Sequence, residues 1–338
     1  MKRTPLFFAG MILMTCFATL NAQTQKSEYK MGKSIQLTAD GGWDYLSVDE
    51  VNQKLFVSHS SQVNVADLKT GLEVAVIPET SGVHGIAIAN DLNKAFISCG
   101  RDSSVIVVDL TTFKLIAKVT GTGKNPDAIL YDPFSKRVFT FNGRSSNATA
   151  IDAVTLKILG NIPLSGKPEF SQTDGKGKIY VNIEDKSTIT IINPVTLKVE
   201  KEWSIAPGEE PSGLALDKVN NRLFSVCGNK MMTISDAIAG KVITTVPIGD
   251  GCDGVAFDPA TKRIFSSNGE GTMTVVQQVS ADEYKVLENF PTMPGARTIT
   301  VNKTTHHLYL SAAELLPGTG RRQSKPGTFQ ALNIEPFK

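Results

Sequence analysis

Short apolar runs separated by polar turns recur along this chain, and none of them carries a helical period. One unit shows the pattern well. Ala128-Ile129-Leu130-Tyr131 is an apolar run of the kind that forms a strand buried on both faces. Asp132-Pro133-Phe134-Ser135 suits a type I turn, with Asp first and Pro second. Arg137 to Phe141 reads as a second strand, Asn142-Gly143-Arg144-Ser145 as a second turn, Ala148 to Asp152 as a third strand and Lys157 to Pro163 as a fourth. Four short antiparallel strands joined by tight turns make one propeller blade.

The unit recurs with its start at Trp43-Asp44, Val83-His84, Pro126-Asp127, Pro168-Glu169, Pro211-Ser212, Cys252-Asp253 and Ala296-Arg297, at intervals of 40 to 44 residues. A fixed period in this range marks a propeller or solenoid. The predicted fold is therefore all-β, a seven-bladed β-propeller with four antiparallel strands per blade, forming a single domain over residues 23–338. The seventh unit has strands at Thr298 to Val301, His307 to Ser311 and Thr328 to Ile334, and then stops. Ser34 to Thr38, just before the first unit, has the pattern of a fourth strand. The N-terminal segment is expected to complete blade seven and close the ring, which leaves no open sheet edge at the seam.

The N-terminus changes the setting. Lys2 and Arg3 precede an apolar stretch from Leu6 to Leu20, and Ala22 offers a small residue before a cut at Gln23. Residues 1–22 thus read as a secretory signal peptide, with an apolar run too short to span a bilayer. No later segment is a transmembrane candidate, so the mature chain is expected to be periplasmic or secreted, and a monomer. A net charge of +2 and a pI near 8.2 give no strong signal for nucleic acid, which calls for a concentrated basic face.

The first strand of each blade in a propeller lines the central channel, so the heads of the seven first strands should share one funnel. Those heads are Asp44, His84, Asp127, Glu169, Ser212, Asp253 and Arg297, six of them able to carry charge. Imidazole with carboxylates suits Zn²⁺ or Mn²⁺, and carboxylates with amide oxygens suit Ca²⁺. His84, Asp127, Glu169 and Asp253 are the candidate metal ligands, with Asn142 and Asn268 as further oxygen donors and His59 as a possible neighbour. Arg297 would hold a carboxylate or phosphate by its planar fork. Cys227 and Cys252 fall on the same face at adjoining blades and are expected to form a disulfide, with Cys99 free. A long insertion from Glu314 to Gly327 carries Arg321, Arg322 and Lys325 beside Arg297, as a lid or an anion-attracting lip. Asp49, Asp132, Asp217 and Asp258 start turns at the opposite end and read as structural.

Other motifs fail their context. Gly249 to Gly254 fits GxGxxG literally, yet it precedes a strand rather than opening a helix. No HExxH, GxSxG or CxxC occurs.

Phe139-Thr140-Phe141-Asn142-Gly143, Tyr180-Val181-Asn182 and Phe265-Ser266-Ser267-Asn268-Gly269, with the blade starts above, resemble the YVTN-type β-propellers and, within them, the exported bacterial YncE-like group. The resemblance spans about residues 33–338 and implies the fold more than an activity. The leading expectation is a binding or interaction module that takes a small molecule or a protein at the funnel. The alternative is a metal-dependent hydrolase of lactonase type using the same funnel.

Overall fold

The computed structural model describes residues 1, 27–38, 41–318 and 323–337. The expected signal segment lies outside them beyond its first residue, as do Arg321 and Arg322. The chain folds into seven antiparallel sheets, six of four strands each and a seventh completed by the N-terminal segment. First strands of adjoining blades touch all the way round, including the seventh against the first, so the ring is closed.

Blade three has strands Pro126–Asp132, Arg137–Asn142, Asn147–Asp152 and Ile158–Pro163, within a residue or two of the expected spans. The seam is more extensive than its sequence pattern indicates. Ile35–Gln36 pairs with Gln330–Pro336 as expected, and Tyr29–Met31 then pairs with the far end of the same strand. Gly32 bridges the two pieces, its N–H donating to the Asn333 carbonyl at 2.8 Å.

Each blade buries one aromatic ring from the middle of its second strand. These are Phe56, Phe96, Phe139, Tyr180, Phe224, Phe265 and Tyr309, all buried between neighbouring sheets. Burial of each such side chain is worth roughly 1.5–3 kcal/mol, and this series sets how far apart the blades sit. At the turns between first and second strands, Asp49, Asp132, Asp217 and Asp258 accept backbone N–H groups two or three residues on. They are buried, and three of them also reach the next blades. Asp132 accepts from Thr173 at 2.6 Å and Asp217 from Gln278 at 3.0 Å, while Asp258 lies 2.8 Å from His306 Nδ1. The His306 side chain thus ties blade seven to blade six.

Toward the channel the first strands approach so closely that only glycine fits at two points. A Cβ on Gly254 would lie 2.9 Å from the Ile299 nitrogen, and one on Gly213 would lie 2.9 Å from the Val255 nitrogen. Both neighbours are backbone and cannot step aside as a side chain can. Gly254→Ala is expected to wedge blades six and seven apart and lower stability by about 1–3 kcal/mol, seen as a lower urea midpoint. An unchanged midpoint would mean that the blades tolerate wider spacing.

Candidate functional site

The head of every first strand in blades one to six sits in a register irregularity. The slips fall at Trp43/Leu46, Val83/Ile86, Pro126/Ile129, Pro168/Ser171, Pro211/Leu214 and Cys252/Gly254. A bulge turns a side chain away from the regular alternation, and here it frees the head residues from the flat face of the sheet. The freed backbone carbonyls need donors, and second strands supply them. Ser98 donates to the Asp127 carbonyl at 2.5 Å, Asn182 to that of Ser212 at 3.0 Å, Ser311 to that of Asp44 at 3.1 Å, and Ser267 to that of Arg297. Sequence reasoning gave these four residues no role. Their shared position near the end of strand two was the available signal.

Six of the seven heads form a nearly continuous ring of charge. Arg297 pairs with Asp253 and reaches within 3.7 Å of Asp44. Asp44 Oδ2 lies 2.6 Å from His84 Nδ1, and the same nitrogen lies 3.6 Å from Asp127 Oδ1. Glu169 is held by Lys167 at 2.7 Å, and Lys167 also pairs with Glu184. Ser212 stands apart, donating to the Cys252 carbonyl at 3.4 Å. Five carboxylates therefore share two permanent cations and one imidazole.

That imbalance sits where little water reaches: the Asp127 and Glu169 side chains are 17% and 9% exposed. Burial, reinforced by the Asp44 charge, pushes the Asp127 carboxyl up to about 6. Burial and the Asp127 charge push Glu169 up to about 7, against the opposing pull of Lys167. Burial opposes the charged form of His84, but the hydrogen bond to Asp44 and the charges of Asp127 and Asp44 outweigh it, and its pKa is raised.

Among the described residues the group close enough to hold one cation is Asp44, His84 and Asp127, whose ligand atoms lie within 4.8 Å of one another. This differs from the expected set. Asp44 replaces Glu169 and Asp253, because Lys167 and Arg297 already engage those two. Asn142 and Asn268, expected as further oxygen donors, have their side chains engaged elsewhere. Both are buried, and their amides donate within their own blades, to Asn147 and Thr149 and to Thr272 and Thr274. His59 is buried against Phe329, with ring centres 3.8 Å apart, rather than facing the funnel.

Cys227 and Cys252 are neighbours, but the expected disulfide is absent. Both are free, as is Cys99, and the Cys252 thiol contacts the Cys227 carbonyl oxygen at 3.1 Å. The thiol is thus aimed at the backbone and not at the other sulfur. Burial pushes both thiols up to about 12, which keeps them protonated and unreactive. Part of the long insertion is described. It doubles back on itself through a Leu315–Ser324 bridge, Lys325 pairs with Glu314 at 2.8 Å, and Ser324 reaches the Gly41 carbonyl near the mouth.

Just below the ring of charge two aromatic side chains meet. Tyr45 and Phe170, from blades one and four, meet edge to face with ring centres 5.3 Å apart. Burial, with added repulsion from Asp127, Glu169 and Asp44, raises the Tyr45 hydroxyl well above its ordinary value and keeps it protonated. At the same position the other blades carry Gly85, Ala128, Gly213, Gly254 and Thr298. Two aromatics among small residues were the legible sign of this contact. Beyond it lies a cavity of about 460 Å³ that runs to the turns between first and second strands.

No protein-family model and no curated protein matches the chain. Solved structures do. The chain is similar to Kuenenia stuttgartiensis hydrazine synthase, with 17% identity, a TM-score of 0.69, and 85% of this chain and 95% of that one covered. It is also similar to U3-55K, with 9% identity, a TM-score of 0.78, and 93% and 99% covered, and to the RRP9 WD40 repeats, with 9% identity, a TM-score of 0.78, and 92% and 98% covered. Likeness at these identities is likeness of fold: a seven-bladed propeller with WD40-like neighbours, an architecture that commonly serves as an interaction or scaffold module. Among the described residues no helix is long and apolar enough to cross a membrane.

Proposed function

We propose that the chain is an exported, YncE-like propeller acting as a binding module, and that its channel mouth takes a divalent cation of the Zn²⁺ or Mn²⁺ type. The observation that carries this reading is the convergence of Asp44, His84 and Asp127 within 4.8 Å from three different blades. One imidazole nitrogen and two carboxylate oxygens form a borderline donor set, better matched to Zn²⁺ or Mn²⁺ than to the all-oxygen preference of Ca²⁺. The excess of carboxylates supports a cation over an anion. Arg297, read from sequence as an anion fork, is occupied by Asp253. The basic N-terminal residues and the apolar stretch after them support export, and the Phe- and Tyr-centred second strands support the YncE-like assignment.

Equilibrium dialysis of the mature chain against Zn²⁺, Mn²⁺ and Ca²⁺ tests it. One ion per chain is expected, with Ca²⁺ the weakest, and His84→Ala should weaken binding at least about tenfold by removing the one nitrogen ligand. A wild-type chain that retains none of the three ions overturns the proposal. Chelator-sensitive turnover of a lactone or ester panel would move the reading to a hydrolase, since the cation could then polarise a carbonyl.

A further inference from the structure

The cavity on the far side of the Tyr45–Phe170 pair lies apart from the proposed cation group, and its lining mixes aliphatic with polar side chains. Its volume of about 460 Å³ falls within the ~300–1,000 Å³ usual for small-molecule sites. Aliphatic side chains from successive first strands line it, among them Val48, Ile88, Leu130 and Leu216, each only partly covered by protein. Tyr45 and Phe170 form its floor. A ligand entering here would meet a wall that favours an apolar body.

The rim adds a charge preference. Lys218 and Lys303 border the opening, and among the described residues neither forms an ion pair. Two acidic groups share the lining, and both are hydrogen-bonded to neutral amides while keeping their charge. Asp217 accepts the Val219 and Asn220 backbone N–H groups and the Asn220 and Gln278 side-chain amides. Glu50 accepts the Lys303 backbone N–H at 3.2 Å. Partial desolvation and then the nearby Lys303 charge lower the Lys218 pKa, although Asp174 and Asp132 pull the other way. The two lysines thus stand without a direct ion pair at the entrance to a channel whose wall is partly aliphatic.

We propose that this end of the channel is a binding site for a small amphiphile with an aliphatic body and one anionic head, such as a medium-chain carboxylate. The aliphatic part occupies the channel down to Tyr45 and Phe170, and the head meets Lys218 and Lys303. The site is separate from the cation-binding mouth and stands or falls without it.

Calorimetric titration of the intact chain with dodecanoate, dodecyltrimethylammonium and acetate separates the possibilities. Dodecanoate is expected to bind once per chain and about tenfold tighter than the cationic amphiphile, with acetate too weak to detect. Replacing both lysines (Lys218→Gln, Lys303→Gln) should weaken dodecanoate about fivefold to tenfold, the scale of two exposed ion pairs. Leu216→Trp, which fills the channel, should abolish binding. His84→Ala should leave it unchanged, so failure of the mouth proposal is not failure of this one. Equal affinity for the two amphiphiles, or several dodecanoate molecules per chain, would show adsorption to apolar surface and overturn the proposal. That comparison needs only the wild-type chain and survives a variant that does not fold.

Discussion

A chain that begins at residue 40 is expected to lose its cooperative fold and to associate. The truncation removes Tyr29–Met31 and Ile35–Gln36, the strands that complete blade seven against Gln330–Pro336. Three buried side chains, Tyr29, Ile35 and Leu37, go with them. Tyr29 also packs edge to face on Phe265 at 5.5 Å, and its hydroxyl accepts from Arg263 at 2.9 Å. At roughly 1.5–3 kcal/mol for each buried side chain the loss is about 4.5–9 kcal/mol. That is comparable with the whole stability of an ordinary domain, about 5–15 kcal/mol. The vacated edge of Gln330–Pro336 would also offer its backbone to other chains. Circular dichroism melting with size exclusion checks this. A monodisperse truncated chain melting like the full one would show that the ring does not depend on its seam.

The second large effect is a stability that rises on acidification. The Asp127 carboxyl climbs from 3.8 to about 6 on folding and the Glu169 carboxyl from 4.5 to about 7. Between the unfolded and folded values the native state holds more protons than the unfolded chain, so stability increases as pH falls from 8 toward 5. Above pH 7 both groups are ionised in the folded protein, and each costs on the order of 2–3 kcal/mol, with the two sharing part of that cost because each repels the other. His84 acts in the same direction: its raised pKa favours the folded state below pH 6.5, and that advantage fades as pH climbs past the folded value.

Neutral variants should reverse the penalty. Asp127→Asn is expected to raise the urea midpoint at pH 8, by the equivalent of about 2 kcal/mol, and to flatten the pH dependence. The same substitution removes a ligand of the proposed cation, so stability and binding should move in opposite directions, a common trade at functional sites. Urea denaturation of both chains at pH 8 and pH 5.5 decides it. An Asp127→Asn chain no more stable than wild type at pH 8, with the wild-type pH dependence intact, would remove carboxylate crowding as the cause.

Much of the fold was legible because it repeats. Seven copies of the same strand pattern, each with an aromatic in strand two and four of them with the same Asp turn, show the blades and their order, and the missing strand after Ile334 points to the seam. Less legible was anything set by contact across blades. The heads Asp44, His84 and Asp127 are evident as a series, yet which heads lie within reach of one ion depends on pairings that spacing does not show, Lys167 with Glu169 at the same blade start and Arg297 with Asp253 of the adjoining blade. Asn142 and Asn268 end their strands as a mouth ligand would, but a hydroxyl two residues before each and a further pair beyond it hold their amides inward. Cys227 and Cys252 were placed correctly on adjoining blades, and only the direction of the thiol, toward a carbonyl, sets them apart from a disulfide. The Tyr45–Phe170 pair was visible as two aromatics in a small-residue column, but the contact between them, from blades one and four, required the closed ring.

The central claim is that crowded, partly protonated carboxylates at the mouth exchange their protons for a metal cation. Titrating Mn²⁺ into the mature chain at pH 7 by calorimetry, in two buffers of different ionisation enthalpy, measures that exchange directly. One ion should bind per chain with net proton release, because the Glu169 carboxyl is part-protonated at pH 7 and the raised His84 pKa favours its imidazolium until a cation displaces the protons. Identical heats in the two buffers, or no binding at all, would contradict it.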